Sequence, residues 1–211
     1  MARKRPLGPN WKLCVIVGKE EDPCKVAEAA LSAGVRLVQY RGKEKASSVQ
    51  LREAIALRER TNEYGAVLVI NDRPDIALLC GADAVHLGET DLPLSVVRRI
   101  VGSEMILGAT AHSLLEGMEA EEAGADYIGF GAVFATSSKA GATVVGPEAL
   151  ESMVRQTRLP VLAIGGIHVD NVSQVFRKGA AGVAVLSAVS GAADPAGVCR
   201  RIFSRMENEH P

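Results

Sequence analysis

Two aspartates, Asp72 and Asp91, each follow a short apolar run. Val67 to Ile70 ends in Asn71 and Asp72; Ala84 to Leu87 ends in Gly88, Glu89 and Asp91. A helix-like stretch from Pro74 to Gly81 separates the runs. If both are parallel strands joined by that helix, their carboxyl ends lie side by side and the two carboxylates share one space. Such a pair suits magnesium, which takes oxygen ligands and commonly one or two carboxylates plus substrate phosphates. Either aspartate would also serve as a helix cap, Asp91 ahead of Pro93 especially, and the residues alone leave both roles open.

Other candidates fall at comparable places. Gln39, Arg41 and Lys43 alternate in an extended segment, so an amide and two cations share a face suited to a diphosphate, or are simply charges of an exposed loop. His86, inside an apolar run, reads as a hydrogen-bonded core histidine. Thr110 is a donor to a ligand oxygen or, like His112 and Ser113, the start of a helix; the part played by His112 stays open. Gly129 to Gly141 is a long stretch rich in glycine and hydroxyls, carrying Thr136, Ser138 and Lys139, and the next helix waits until about Pro147. Loops of that length are commonly functional, and this one could close over a substrate. Gly165-Gly166 and Leu186-Ser187 end two further apolar runs. The glycine pair permits close backbone approach by a phosphate or serves a tight turn, and Ser187 adds a donor. A metal-assisted diphosphate site would thus face a metal-free monophosphate site, a layout for joining two phosphorylated molecules with pyrophosphate as leaving group.

The elements that must hold these residues repeat. A helical stretch closes on glycine, often Gly-Ala, and a short apolar strand follows: Gly34, Gly65-Ala66, Gly81-Ala82, Gly124-Ala125 and Gly179-Ala180, with Gly102 and Leu159-Pro160 as further boundaries. The strands read are Lys12 to Val17, Leu37 to Tyr40, Val67 to Ile70, Ala84 to Leu87, Met105 to Ala109, Tyr127 to Gly129, Val161 to Ile164 and Val183 to Leu186. Helical patterns such as Val49 to Asn62 and Ser113 to Ala123 lie between them. Eight strands alternating with helices predict an α/β fold, a single compact (β/α)8 TIM barrel with parallel strands. An open doubly wound sheet is the rival. The barrel is favoured because polar residues after nearly every strand converge only around a ring.

At 211 residues, one domain over 1–211 is expected, with a basic tail at 1–10 and a C-terminal tail at 206–211. A net charge of -1 gives no general attraction to nucleic acid or to an anionic membrane, and no run approaches a membrane span. Cys14, Cys24, Cys80 and Cys199 form no CxxC pair and read as apolar fillers, which points to a reducing, cytoplasmic setting. The sequence is compatible with a monomer or a homo-oligomer.

Taken together, Gln39-Tyr40-Arg41-Gly42-Lys43, Ile70-Asn71-Asp72-Arg73, Val85-His86-Leu87-Gly88 with Asp91, Gly124-Ala125-Asp126-Tyr127, Thr136 to Lys139, Ala163-Ile164-Gly165-Gly166-Ile167 and Leu186-Ser187-Ala188 resemble the thiamine phosphate synthase family in type and order, over about Leu13 to Ala193. The resemblance implies condensation of 4-amino-2-methyl-5-(diphosphooxymethyl)pyrimidine with a thiazole phosphate, or its carboxylated form, giving thiamine phosphate and pyrophosphate. It assigns Gln39, Arg41, Lys43, Asn71, Thr110 and Lys139 to the pyrimidine diphosphate and Asp72 and Asp91 to magnesium. Thr136, Ser138, Gly166, Leu186 and Ser187 would hold the thiazole phosphate. Arg41, Lys43 and Lys139 would stabilise the departing pyrophosphate in a dissociative reaction that needs no general base. By the same resemblance, Thr110 stands where serine is usual, Ser138 where threonine is frequent, and Tyr40 and Gly42 at positions that vary or are often Leu and Glu. The rival readings are a thiazole tautomerase-like barrel, a lyase with Lys139 as Schiff base, and a phosphometabolite-binding regulator without turnover.

Overall fold

The computed structural model describes residues 9–136, 138, 141 and 143–207. After a 3-10 turn at Pro9–Lys12 the chain alternates strand and helix: β1 (Leu13–Val17), α1 (Pro23–Ser32), β2 (Leu37–Tyr40), α2 (Ser47–Glu63), β3 (Val67–Asn71), α3 (Pro74–Cys80), β4 (Ala84–Leu87), α4 (Leu94–Val101), β5 (Ile106–Ala111), α5 (Leu114–Glu122), β6 (Tyr127–Phe130), α6 (Gly146–Gln156), β7 (Val161–Ile164), α7 (Val172–Arg177), β8 (Gly182–Val185), α8 (Ser187–Ser190) and α9 (Pro195–Glu207). The strands are all parallel and follow chain order around a closed barrel. β8 closes it onto β1 through Leu13↔Val183, Cys14↔Ala184 and Val15↔Val185. The open-sheet alternative is excluded by that pairing.

Both faces of each strand are covered, so the strands read as unbroken apolar runs rather than alternating ones. The period of two survives in which core each residue joins. Cys14, Ile16, Leu37, Val69, Ile106, Tyr127 and Leu162 fill the barrel interior. Leu13, Val15, Val17, Val38, Leu68, Val85 and Leu107 pack outward under the helices.

The recurrent Gly-Ala-Asp has a cause at the amino-terminal rim. Asp83 accepts the Leu68 backbone N–H at 2.9 Å and pairs with Arg58 of α2. Asp126 accepts the Leu107 N–H at 2.9 Å and pairs with Arg98 of α4 at 2.6 Å. Each aspartate ties the loop before its own strand to the start of the preceding one.

Several boundaries shift. Lys12 belongs to the 3-10 turn, so β1 starts at Leu13, and the expected tail at 1–10 ends inside that turn. β5 runs on to Ala111, which takes Thr110 into the sheet. β8 stops at Val185, and Leu186 becomes the N-cap position of α8. The C-terminal tail expected from 206 begins inside α9, because Met206 is buried against the outer core.

Candidate functional site

A cavity of about 730 Å³ opens at the carboxyl ends of the strands. Gln39, Arg41, Lys43, Asn71, Asp72 and Thr110 line one side, and Thr136, Ser138, Gly166, Leu186 and Ser187 the other. Of the predicted residues, Asp91 lies just behind the wall, beside Asp72, and Lys139 lies outside the described residues.

The side that carries Gln39, Arg41 and Asp72 is built from the ends of β2, β3 and β4. Gln39 is buried between Ile16 and Val69 in register. Tyr40, one residue on, points the other way and donates to Glu53 Oε2 at 2.6 Å, and Lys45 Nζ holds the same carboxylate at 2.9 Å. A Cβ at position 42 would overlap the Tyr40 hydroxyl, so tyrosine at 40 and glycine at 42 belong together. The two residues together form one brace behind the loop that carries Arg41 and Lys43.

Asp72 adopts a left-handed backbone, φ 63°, a conformation uncommon outside glycine. The next turn then leaves Arg73 as the N-cap position of α3 with no side-chain cap, and Pro93 takes that place for α4. Neither aspartate caps a helix. Asp91 Oδ2 instead accepts the Gly88 N–H at 2.7 Å, and the Asp91 carboxyl shares a hydrogen bond with Asp72. Burial, that hydrogen bond and the Asp72 charge push Asp91 up to about 6. Burial also raises Asp72, but the hydrogen bonds from Asp91 and Lys43 and the Arg41 charge outweigh it and hold the carboxyl below its ordinary range. Lys43 Nζ sits 2.7 Å from Asp72 Oδ2. Asn71 Nδ2 is buried and, among the described residues, has no partner.

Two adjacent carboxylates, one raised by the charge of the other, beside an orphaned amide donor and two cations, suit a divalent ion carrying phosphate oxygens. Among the described residues no third acidic, histidine or cysteine ligand joins the pair. Water and substrate oxygens would complete such a shell, which is the usual habit of magnesium.

On the opposite side the loop after β6 lies along the end of β7. Val133 N–H reaches Ile164 O at 2.9 Å and Phe134 N–H reaches Gly165 O at 3.0 Å. Gly166 has φ 64°, and a Cβ there would meet Phe134 Cβ at 2.8 Å and overlap Ala135 O. Only glycine admits this close passage. Asn171 Nδ2 fixes the Gly166 carbonyl at 2.8 Å. Ser138 Oγ donates to Ser187 Oγ at 3.2 Å, and among the described residues no side chain caps the first turn of α8. Hydroxyls and bare backbone N–H groups thus face one space, as the glycine pair and Ser187 suggest in the sequence.

The floor holds what the sequence leaves open or misses. His86 is buried, as expected, yet it also lines the cavity, between Tyr127 Oη and Thr110 Oγ1, each at 2.9 Å. Burial holds its pKa down at about 4, so the ring is neutral at pH 7. Ser113 is the N-cap of α5, accepting the Glu116 N–H at 3.2 Å, which frees Thr110 and His112 from that role. His112 Nδ1 donates to the Gly131 carbonyl, and the ring lines the cavity. Nothing in the spacing marks Tyr127 as a cavity residue; its apolar neighbours make it read as core.

A family profile described as thiamine monophosphate synthase matches residues 13–189. The chain is 44% identical, over 95% of its length, to the thiamine biosynthesis bifunctional protein ThiM/ThiE of Symbiobacterium thermophilum, of which it spans 42%. It is 41% identical to the thiamine-phosphate synthase of Moorella thermoacetica, covering 92% of this chain and 95% of that one. The solved structure of thiamine phosphate pyrophosphorylase from Pyrococcus furiosus superposes with a TM-score of 0.89 at 37% identity, covering 96% of this chain and 98% of that one. With its closed parallel barrel and a phosphate-suited cavity at the strands' carboxyl ends, this chain belongs to the thiamine monophosphate synthase family.

Proposed function

We propose that this chain is a magnesium-dependent transferase of thiamine biosynthesis. It joins 4-amino-2-methyl-5-(diphosphooxymethyl)pyrimidine to a thiazole ethyl phosphate and releases pyrophosphate. One observation carries the reading: Asp72, backed by Asp91 and flanked by Arg41 and Lys43, and the Gly166–Ser187 cradle line opposite sides of a single cavity large enough for two ligands. A tautomerase acting on the thiazole phosphate alone would leave Asp72, Asp91, Arg41 and Lys43 without a task.

Gln39, Asn71 and Thr110 orient the pyrimidine diphosphate, and Asp72 and Asp91 would hold magnesium. The ion, when bound, neutralises charge on the diphosphate. Arg41 and Lys43 add positive charge where the leaving group develops negative charge, and Lys139 is assigned the same role by family resemblance. Lys43 exchanges its Asp72 partner for a phosphate oxygen as the ligand arrives. Thr136, Ser138, Gly166, Leu186 and Ser187 seat the thiazole phosphate, aligning the thiazole nitrogen with the pyrimidine methylene carbon. The C–O bond to pyrophosphate breaks and the C–N bond forms with no proton removed from the nucleophile, so alignment and charge stabilisation suffice. No helix among the described residues is long and apolar enough to cross a membrane. All four cysteines are free thiols, with Cys14 and Cys199 pushed up to about 12 by burial, which supports work in the reducing cytoplasm.

Incubating both substrates with and without magnesium tests this. Thiamine phosphate and pyrophosphate are expected together, in equal amounts and only with the metal. Both substrates intact after long incubation would overturn the assignment in favour of a binding protein, and equal turnover in a chelator would overturn the metal's role.

A further inference from the structure

Thr110 is backed by a hydrogen-bonded chain to which the proposed chemistry gives no part. His86 Nε2 meets Thr110 Oγ1 and its Nδ1 meets Tyr127 Oη, both at 2.9 Å. The ring pair is locked in a niche made by absent side chains. A Cβ on Gly108 would come within 2.5 Å of His86 Nδ1 and overlap the Tyr127 ring, and one on Gly129 would lie 2.9 Å from His86 Cε1. Trp11 closes the niche from below, edge-on to Tyr127 with ring centroids 6.0 Å apart.

The direction of the chain follows from its buried end. Tyr127 is 2% exposed, and among the described residues its hydroxyl has no partner but His86 Nδ1. A buried O–H left undonated costs its full desolvation, and a phenol oxygen is a weaker acceptor than an imidazole nitrogen. Tyr127 therefore donates to Nδ1, which must be bare. A neutral imidazole with a bare Nδ1 carries its proton on Nε2, and that N–H donates to Thr110 Oγ1. The threonine oxygen is thereby supplied from behind, and its own proton is directed into the cavity that Thr110 lines.

We propose that Tyr127 and His86 are positioning residues that fix the Thr110 hydroxyl as a hydrogen-bond donor toward the cavity, so that it reads a ring nitrogen of the aminopyrimidine rather than the amino group. This rests on the substrate reading above. A ring nitrogen offers only a lone pair and the amino group offers only protons, so the polarity of one hydroxyl discriminates between them. Serine would keep that polarity; threonine adds a methyl that restricts rotation about its side chain.

The test has one arm independent of substrate. In the unliganded protein labelled with 15N-imidazole histidine, the His86 signals are expected to be pyrrole-type at Nε2 and pyridine-type at Nδ1. The reverse assignment overturns the proposal, whatever the enzyme makes. The second arm measures binding of pyrimidine diphosphate analogues in which either ring nitrogen is C–H, or the amino group is absent. One ring-carbon analogue is expected to bind wild type about tenfold more weakly than the parent. Thr110→Val removes that penalty and leaves the penalty for the missing amino group unchanged; the opposite pattern, or no ring-carbon penalty in wild type, overturns the proposal. Tyr127→Phe is expected to bring a pyrrole-type signal to Nδ1 and to shrink the ring-carbon penalty. An unchanged tautomer with unchanged selectivity would reduce Tyr127 to packing and overturn its role. If the parent diphosphate does not bind at all, the substrate reading fails, while the histidine signals still decide the polarity.

Discussion

Gly166→Ala separates backbone strain from the steric work of the phosphate cradle, with Gly65→Ala as its control. Both glycines are left-handed, with φ 64° and 59°. An alanine in that region costs about 1–2 kcal/mol. At position 65 nothing lies within 4 Å of an added Cβ, so strain is the whole cost. At position 166 the added carbon meets Phe134 Cβ at 2.8 Å and overlaps the Ala135 carbonyl oxygen. That oxygen belongs to backbone and cannot swing aside as a flexible side-chain tip does, which adds about 1–3 kcal/mol as overpacking. Gly166→Ala should therefore destabilise by about 2–5 kcal/mol in urea unfolding, against about 1–2 for Gly65→Ala. The relief available is to push residues 134–136 outward, which carries Thr136 away from Gly166 and Ser187. The KM for the thiazole phosphate should rise about 10- to 100-fold in Gly166→Ala, the cost of a displacement near 1 Å. The KM for the pyrimidine diphosphate should rise less than that for the thiazole phosphate, because among the described residues Asp72, Lys43 and Asn71 share no partner with residues 134–136, and Lys139 is the one residue of that loop assigned to the diphosphate. Equal unfolding free energies for the two variants, with an unchanged thiazole phosphate KM, would refute the assignment of Gly166 to the cradle.

Three further outcomes follow from the same geometry. Asp72→Asn and Asp91→Asn should each weaken magnesium activation of turnover by at least about tenfold while calorimetric binding of the thiazole phosphate is retained; loss of both together would contradict a two-sided site. Ser187→Ala, which deletes the hydroxyl facing Ser138, should raise the thiazole phosphate KM about three- to tenfold and leave the diphosphate KM alone, and the reverse would place the two subsites the wrong way round. His86 has its folded pKa depressed to about 4 from an ordinary 6.5, so the unfolded chain binds the proton first and the stability that His86 supplies above about pH 6.5 is lost as pH falls toward 4. The stability gap between wild type and His86→Gln should shrink by about 3 kcal/mol over that window; Asp91, raised to about 6, acts with the opposite sign but is common to both proteins and cancels, and a gap constant with pH would contradict a neutral His86.

The eight strands are legible because a doubly covered strand leaves a short, uninterrupted apolar run, and because each return to the barrel is announced by a helix-ending glycine. What the runs do not reveal is the partner across the strand. Thr110 looks as much like the start of α5 as like a wall residue until β5 is seen to extend to Ala111 and to meet His86 of β4. Asp72 looks like a helix cap because its left-handed backbone leaves no mark in residue type. The Gly-Ala-Asp recurrence is visible, but its aspartates serve the strand before them, which only register discloses.

β2 shows why the site could be read at all. Its residues alternate between two surfaces, so Gln39 enters the cavity floor while Tyr40 turns outward to Glu53, and a shift of one residue would exchange them. The loop that follows carries Arg41 and Lys43 on the cavity side and is braced from behind by Tyr40, Glu53 and Lys45. Spacing in the sequence identifies the cavity-facing set because phosphate chemistry demands recognisable residue types. The bracing set uses whatever fits, and the match of Tyr40 to Gly42 is a fact of volume rather than of chemical type. On the proposed function, activity would depend on residues of both kinds, and a substitution at Tyr40 or Gly42 would act on the Arg41–Lys43 side of the cavity without touching a ligand.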